Sequence, residues 1–371
     1  MELAEESLFY NAIAIAARGD RRAAAALRGP AGARTWRESF AAHPGLPDPF
    51  RAGDALAKAG IHVILASDPS FPARLREIPH PPLALYIKGD VRAVAEAGAG
   101  DALALVGTRR ASPEGLALAR LFGRELAAAG FAVVSGLAFG IDAAGHEGCL
   151  ALLAGGGRPL AVLAGGLGAV HPRSHEALAR KIIAAGGALV SEYPLTESPF
   201  PGRFIERNRI VSGLARGTLV IEAPEGSGAL STARFALEQN RDVFVVPGTI
   251  THPNYRGSNR LIQQGAALVA SPEDIFENYG MVKRRSRGDR AARDAAAEAI
   301  ARSAAHGGFS QEESLVIRAI ASAARVHSLP PDVDKISSLA KLEPRIVNQT
   351  LTFLIVKDIV AEERDGYTLK E

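Results

Sequence analysis

Between residues 84 and 280 the chain repeats one pattern, a short apolar run followed by a stretch with helical spacing. The runs are ALALVGT, FAVVSG, PLAVLAGG, ALVSEYP, GTLVIEAP, DVFVVPG and AALVAS. A strand with one wet face alternates apolar and polar residues, whereas these runs are nearly continuous, as parallel strands covered on both faces are. The segments between them supply the covering helices. The pattern predicts a doubly wound α/β fold on a parallel sheet.

The flanks follow other rules. Residues 1–80 read as a helical domain and connector: LFYNAIAIAARG and DALAKAG carry apolar residues at helical spacing, and the proline-rich DPSFPARLREIPHPP leads into the core. A helical module of this kind suits either protein or DNA binding. The core runs over 81–281. Residues 282–308 contain KRRSRGDRAARDAAAEAIARSAAHGG and read as a charged, solvated linker, or as an auxiliary arm that touches DNA. In 309–371, EESLVIRAIASA, VDKISSLAKL and EPRIVNQTLTFLIVKDIV read as helices and VAEERDGYTLKE as a hairpin turning at Asp-Gly. That is the order of a winged helix-turn-helix, with Pro344 setting the start of its third helix.

Composition narrows the function little. Hydrophobic residues make up 47% of the 371 and charged residues 22%, as in ordinary soluble domains. A formal net charge of +3 permits nucleic acid without demanding it, since a weak total can hide a local patch. The single cysteine, Cys149, leaves no internal disulfide and suits a reducing compartment. The start MELAEESLF is acidic where a secretory signal is basic, and no run approaches the ~20 apolar residues of a membrane span. A cytoplasmic location without a membrane partner is expected.

Open parallel sheets bind ligands at the carboxyl ends of their strands, so the turns there are the candidates. In VGTRRASPEG, Gly107 ends a strand, Thr108, Arg109 and Arg110 follow, and Ser112-Pro113 cap and open a helix whose positive end favours an anion. The G-x-G-x-x-G spacing of a dinucleotide site is missing and there is no Walker lysine motif, which argues against P-loop hydrolysis. In SGLAFGIDAAGH, Ser135, Gly136 and Gly140 let a ligand approach the backbone. Asp142 and His146 share a helix face there; with Cys149 they raise a metal site, but neighbours on one helix seldom converge, so a structural hydrogen bond or a direct ligand contact is the better reading. In APEGSGALSTARFALE, Ser227 and Gly228 open a helix with free backbone N–H groups. Each of these also works as a plain strand-to-helix turn. RFIERNRIVSGLARG gathers Arg203, Arg207, Arg209 and Arg216 around Phe204, with Glu206 the one acid among them. Arginines for phosphates beside an aromatic for bases is the chemistry of single-stranded nucleic acid binding, although a lone phenylalanine among apolar neighbours is as readily a core residue.

In this order VGTRRASPEG, SGLAFGIDAAGH, SEYPLTESP, FIERNRIVSGLARG, SGALSTARFALE, RDVFVVPGTI and GSNRLIQQGAALV resemble the DNA-processing protein A (DprA/Smf) family over roughly residues 60–280. The resemblance implies an extended Rossmann-like core between an N-terminal sterile-alpha-motif-like domain and a C-terminal winged helix. It implies a mediator without enzymatic activity or cofactor, which binds incoming single-stranded DNA as a homodimer during natural transformation, protects it and loads the RecA recombinase. By position, Gly107, Thr108, Arg109 and Arg110 would face phosphate, with Ser135 and Gly136 beside them. Phe204 would stack on a base, Arg203, Arg207, Asn208 and Arg209 would line the pocket, and Ser227 and Gly228 would add backbone donors. Two positions depart from the family pattern: Ile205-Glu206 replaces Pro-basic, and Pro201 stands where a basic residue is common. Both remove positive charge at the rim, so weaker binding or an altered path is expected, with Arg203 a candidate to compensate.

Two other readings stay open. Related Rossmann-like phosphoribohydrolases use a glycine-rich turn with a glutamate soon after it, but here Glu238 lies too far along the helix. The winged helix would read duplex DNA through Arg345, Asn348, Gln349 and Thr352, or dock a protein. Binding to single strands is expected to ignore sequence and to weaken steeply with salt.

Overall fold

The computed structural model describes residues 4–28, 34–152, 156–281, 310–326, 331–357, 359–363 and 366–369. The expected linker 282–308 and the turn residues 364–365 lie outside them. Contacts divide the chain into two units, residues 1–283 and 284–371.

The first unit opens with four helices: α1 (Glu5–Ala16), α2 (Arg21–Leu27), α3 (Trp36–Ala41) and α4 (Pro49–Lys58). Side-chain caps start three of them, with Asp20, Thr35 and Asp48 each accepting backbone N–H groups. There follow β1 (Ile61–Leu65), α5 (Ala73–Glu77), β2 (Ala84–Gly89), α6 (Val91–Ala97), β3 (Ala102–Gly107), α7 (Pro113–Ala128), β4 (Ala132–Ser135) and α8 (Ile141–Leu150). Then come β5 (Pro159–Val162), α9 (Glu176–Ala184), β6 (Ala188–Ser191), α10 (Pro201–Leu214), β7 (Gly217–Ile221), α11 (Gly228–Glu238), β8 (Asp242–Val245), α12 (Arg256–Gln263), β9 (Ala267–Leu268) and α13 (Pro272–Asn278).

The strands form one nine-stranded sheet in the order β1-β2-β6-β5-β4-β3-β7-β8-β9. The seven apolar runs are β3 to β9, and every pairing among them is parallel. Along β3 the alternation is between two buried faces: Ala102, Ala104 and Val106 join one core cluster, Leu103 and Leu105 another. That is why the run shows no polar period.

The two strands at one end of the sheet were not foreseen. β2 pairs antiparallel with β6, and β1 antiparallel with β2. The boundary expected near residue 80 therefore runs between two paired strands of one sheet. The opening helices have no core of their own: Phe9, Tyr10, Ile13, Trp36 and Leu56 pack with Ile61, Val63, Tyr86, Leu163 and Ile182.

The parallel part is wound in two directions from β3, with β4, β5 and β6 to one side and β7, β8 and β9 to the other. The reversal opens a crevice beyond the carboxyl ends of β3 and β7. The second unit holds helices Gln311–Val326, Val333–Ala340 and Pro344–Val356, and an antiparallel pair, Val360–Glu363 with Gly366–Leu369. Its core is Val316, Ile317, Ile320, Ile336, Val347, Leu351, Leu354 and Val360. Among the described residues no helix is long and apolar enough to cross a membrane.

Candidate nucleic-acid interface

The turn after β3 is braced from β7. Gly107 passes so close to the next strand that an added Cβ would overlap the carbonyl of Ile221 and the side chain of Ile141. The Thr108 N–H donates to the Glu222 carbonyl at 2.7 Å. Glu222 itself is fully buried with a left-handed φ of 49°. Its carboxylate accepts the Ser112 N–H at 2.8 Å, the Ser112 hydroxyl, and the Asn254 side-chain amide at 3.0 Å. Asn254 also donates to the Arg110 carbonyl at 3.0 Å. A buried acid with several donors is satisfied, and it fixes the loop that projects Arg109 and Arg110 into solvent. Sequence reasoning passed over Glu222, whose only signal is an acid directly behind an apolar strand.

The turn after β4 is held from within. Asp142, buried on α8, accepts the N–H groups of Gly136 at 3.0 Å and Ala138 at 3.4 Å. Burial raises its pKa, against the opposing pull of Arg207 and those N–H groups. Ser135 is spent inside the sheet, its hydroxyl donating to the Leu105 carbonyl at 2.6 Å. Among the described residues His146 has neither ring nitrogen partnered, and the Cys149 thiol points to the Gly157 carbonyl at 3.5 Å, so the three side chains of the metal reading serve separate surroundings. No cluster of three or more metal-ligating side chains occurs among the described residues.

The arginines correct the sequence reading: Arg203, Arg207 and Arg209 on α10 are buried, and Arg216 just after it is paired. Arg203, 6% exposed, donates to the carbonyls of Ser198 and Arg18 at 2.8 and 2.5 Å, pairs with Glu197 at 2.9 Å and lies over the rings of Tyr193 and Phe200. It ties α10 to the opening helices and is not free to meet a strand or to compensate for Pro201. Arg209 donates to both carboxylate oxygens of buried Glu192, one at 2.6 Å. Arg216 pairs with Asp101 and lies over Tyr279. Arg207 reaches beneath the crevice to the carbonyls of Gly136 at 2.9 Å and Val162, and burial pulls its pKa down to about 10 although Asp142 opposes the shift. A count of arginines could not show this, although the partners Glu192 and Glu197 stand just upstream in SEYPLTESP.

Phe204 and Arg109 do meet. Phe204, half-buried on α10, has the Arg109 guanidinium 4.9 Å from its ring centre and the His171 ring edge-on at 5.8 Å. Asn208 links α10 to the third turn, its amide donating to the Gly228 carbonyl at 3.2 Å and its oxygen accepting from Arg207 at 3.3 Å. Ser227 caps α11, accepting the Ala229 N–H at 3.3 Å, and Gly228 is exposed. Glu238, the acid of the hydrolase reading, is an exposed residue at the far end of α11, 3.6 Å from Arg234. The site is thus an arginine over an aromatic at the switch point, with the mouths of β3, β4 and β7 around it.

These features define a class, an extended Rossmann-type α/β protein with an aromatic and cationic crevice in place of a dinucleotide turn. The chain belongs to the family of DNA recombination-mediator protein A, whose sequence profile matches residues 62–280. Over 217 residues it is 45% identical to protein Smf of Escherichia coli K12, covering 58% of this chain and 56% of that one, so it spans little more than half of that relative. The crystal structure of DNA processing protein A from Streptococcus pneumoniae superposes with a TM-score of 0.57 at 29% identity, over 75% of this chain and 98% of that one. The same protein from Helicobacter pylori, whose structure describes a single-stranded DNA binding mode, gives 0.51 at 27% identity, over 59% of this chain and 95% of that one.

In the second unit, Arg345, Asn348, Gln349 and Thr352 are exposed on helix Pro344–Val356, but so are Ile346, Phe353 and Val356. Apolar side chains thus stand among the polar ones on that surface.

Proposed function

We propose that this chain binds single-stranded DNA in the crevice at the switch point and acts as a recombination mediator, not as a catalyst. The observation that carries the reading is the Arg109 guanidinium set over the Phe204 ring. A base stacked against such a ring and a phosphate at such an arginine need no particular sequence. Support comes from the family and from the H. pylori relative described with single-stranded DNA. On this reading the protein works as a homodimer, shields DNA taken up in natural transformation and hands it to a RecA-type recombinase.

The test is fluorescence anisotropy with a labelled oligomer of ~30 nucleotides, long enough for several binding sites, against the matching duplex. The single strand should bind better, and Arg109→Ala and Phe204→Ala should each weaken it at low and at moderate salt. Equal affinity for duplex, with neither substitution mattering, would refute the reading.

A further inference from the structure

A second aromatic stands exposed in the same crevice. Phe139, on the turn after β4, is 48% exposed. The His175 ring meets it edge-on at 4.9 Å. The backbone around it is built to hold it outward: Leu137 has a φ of 55° and Gly140 a φ of 75°, both left-handed. Gly140 lies flat on the Thr108–Arg109 peptide, where any Cβ would collide. His175 is anchored in turn, its Nδ1 at 2.9 Å from the Leu137 carbonyl. A half-exposed phenylalanine adds little to stability, yet here a strained turn and a buried carboxylate, Asp142, keep it in place.

The two aromatics share a frame. His171 meets Phe204 and His175 meets Phe139, from one short segment, His171-Pro172-Arg173-Ser174-His175, with exposed Arg173 between them. The backbone of that segment spans at most ~14 Å, and both ring pairs adjoin the turn of Arg109, which lies over Phe204 and against Gly140 beside Phe139. We propose that Phe139 and His175 form a second base-stacking position, next to that of Phe204, with Arg173 placed for the phosphate between. This deepens the proposed function and rests on it: the occupant is a further nucleotide of the same single strand.

The experiment uses the full chain and a labelled oligothymidine, with Phe139→Ala, Phe139→Trp and Phe204→Ala beside wild type. Phe139→Ala should weaken binding roughly tenfold, the size of one base–aromatic stack, with an unchanged melting temperature because the ring is half in solvent. Phe139→Trp should bind as wild type, and its emission should be quenched by the oligomer over the background of Trp36, which is only 3% exposed. If Phe204→Ala weakens binding while Phe139→Ala does not, or if the new tryptophan is not quenched, the second position is refuted and the first stands. If wild type fails to bind the oligomer at all, the proposed function falls and this inference with it.

Discussion

His146 lies on α8 fully buried, with no partner for either ring nitrogen among the described residues. Desolvation pulls its pKa down to about 3 from the ordinary 6.5, and the nearby His175 works in the same direction. The unfolded chain takes up this proton near pH 6.5, and the folded chain refuses it until near pH 3. Between those limits the unfolded state binds more protons, so stability falls as pH drops, by up to about 1.4 kcal/mol per unit. Asp142, raised by burial, has the opposite tendency at the acid end of the range. His146→Leu removes the first effect and keeps the second. Urea denaturation should therefore show the variant gaining about 2 kcal/mol on wild type between pH 6.5 and 5, and parallel pH profiles would contradict this. Glu222 illustrates the other residue-scale device, a left-handed backbone at the switch point tolerated because its carboxylate holds Ser112 and Asn254.

At the scale of elements, α10 is where sequence and structure part. Its arginines were legible as a cluster but not as to direction, because charge alone does not say whether a guanidinium faces water or a buried acid. Arg203 is the clearest case. Arg203→Ala would strand Glu197 and two carbonyls, costing ~3 kcal/mol, while the folded variant keeps its affinity for single-stranded DNA. Melting and anisotropy together check this, and a loss of affinity at unchanged melting temperature would restore Arg203 to the binding surface. The parallel strands were legible because burial on both faces writes a continuous apolar run. β1 and β2 were not, because the prolines between them read as a connector, and only their antiparallel pairing reveals an edge of the sheet. Arg109 and Phe204 were legible as candidates from the turn and the aromatic among charges, and the two do meet, whereas Phe139 was hidden inside a glycine turn valued only for its backbone.

At the scale of the molecule, the described residues form two units with separate cores, and the residues of the crevice belong to the first. On the proposed function, the inward turn of Arg203, Arg207 and Arg209 and the pairing of Arg216 with Asp101 bear on DNA binding in a way that their number in the sequence conceals. Arg109 and Arg110 are exposed on the turn after β3, and Arg173 is exposed between His171 and His175. A single strand gives up about 0.7 counterion per neutralised phosphate, so three such contacts set the slope of log affinity against log salt near −2. A titration in sodium chloride measures it; a slope several times steeper would mean that further cations reach the strand. A slope that shallow departs from the steep salt dependence expected from the sequence, and on the proposed reading it shifts the grip from phosphates to stacked rings, so that a seated strand would stay seated at ionic strengths that would strip it from a purely electrostatic groove.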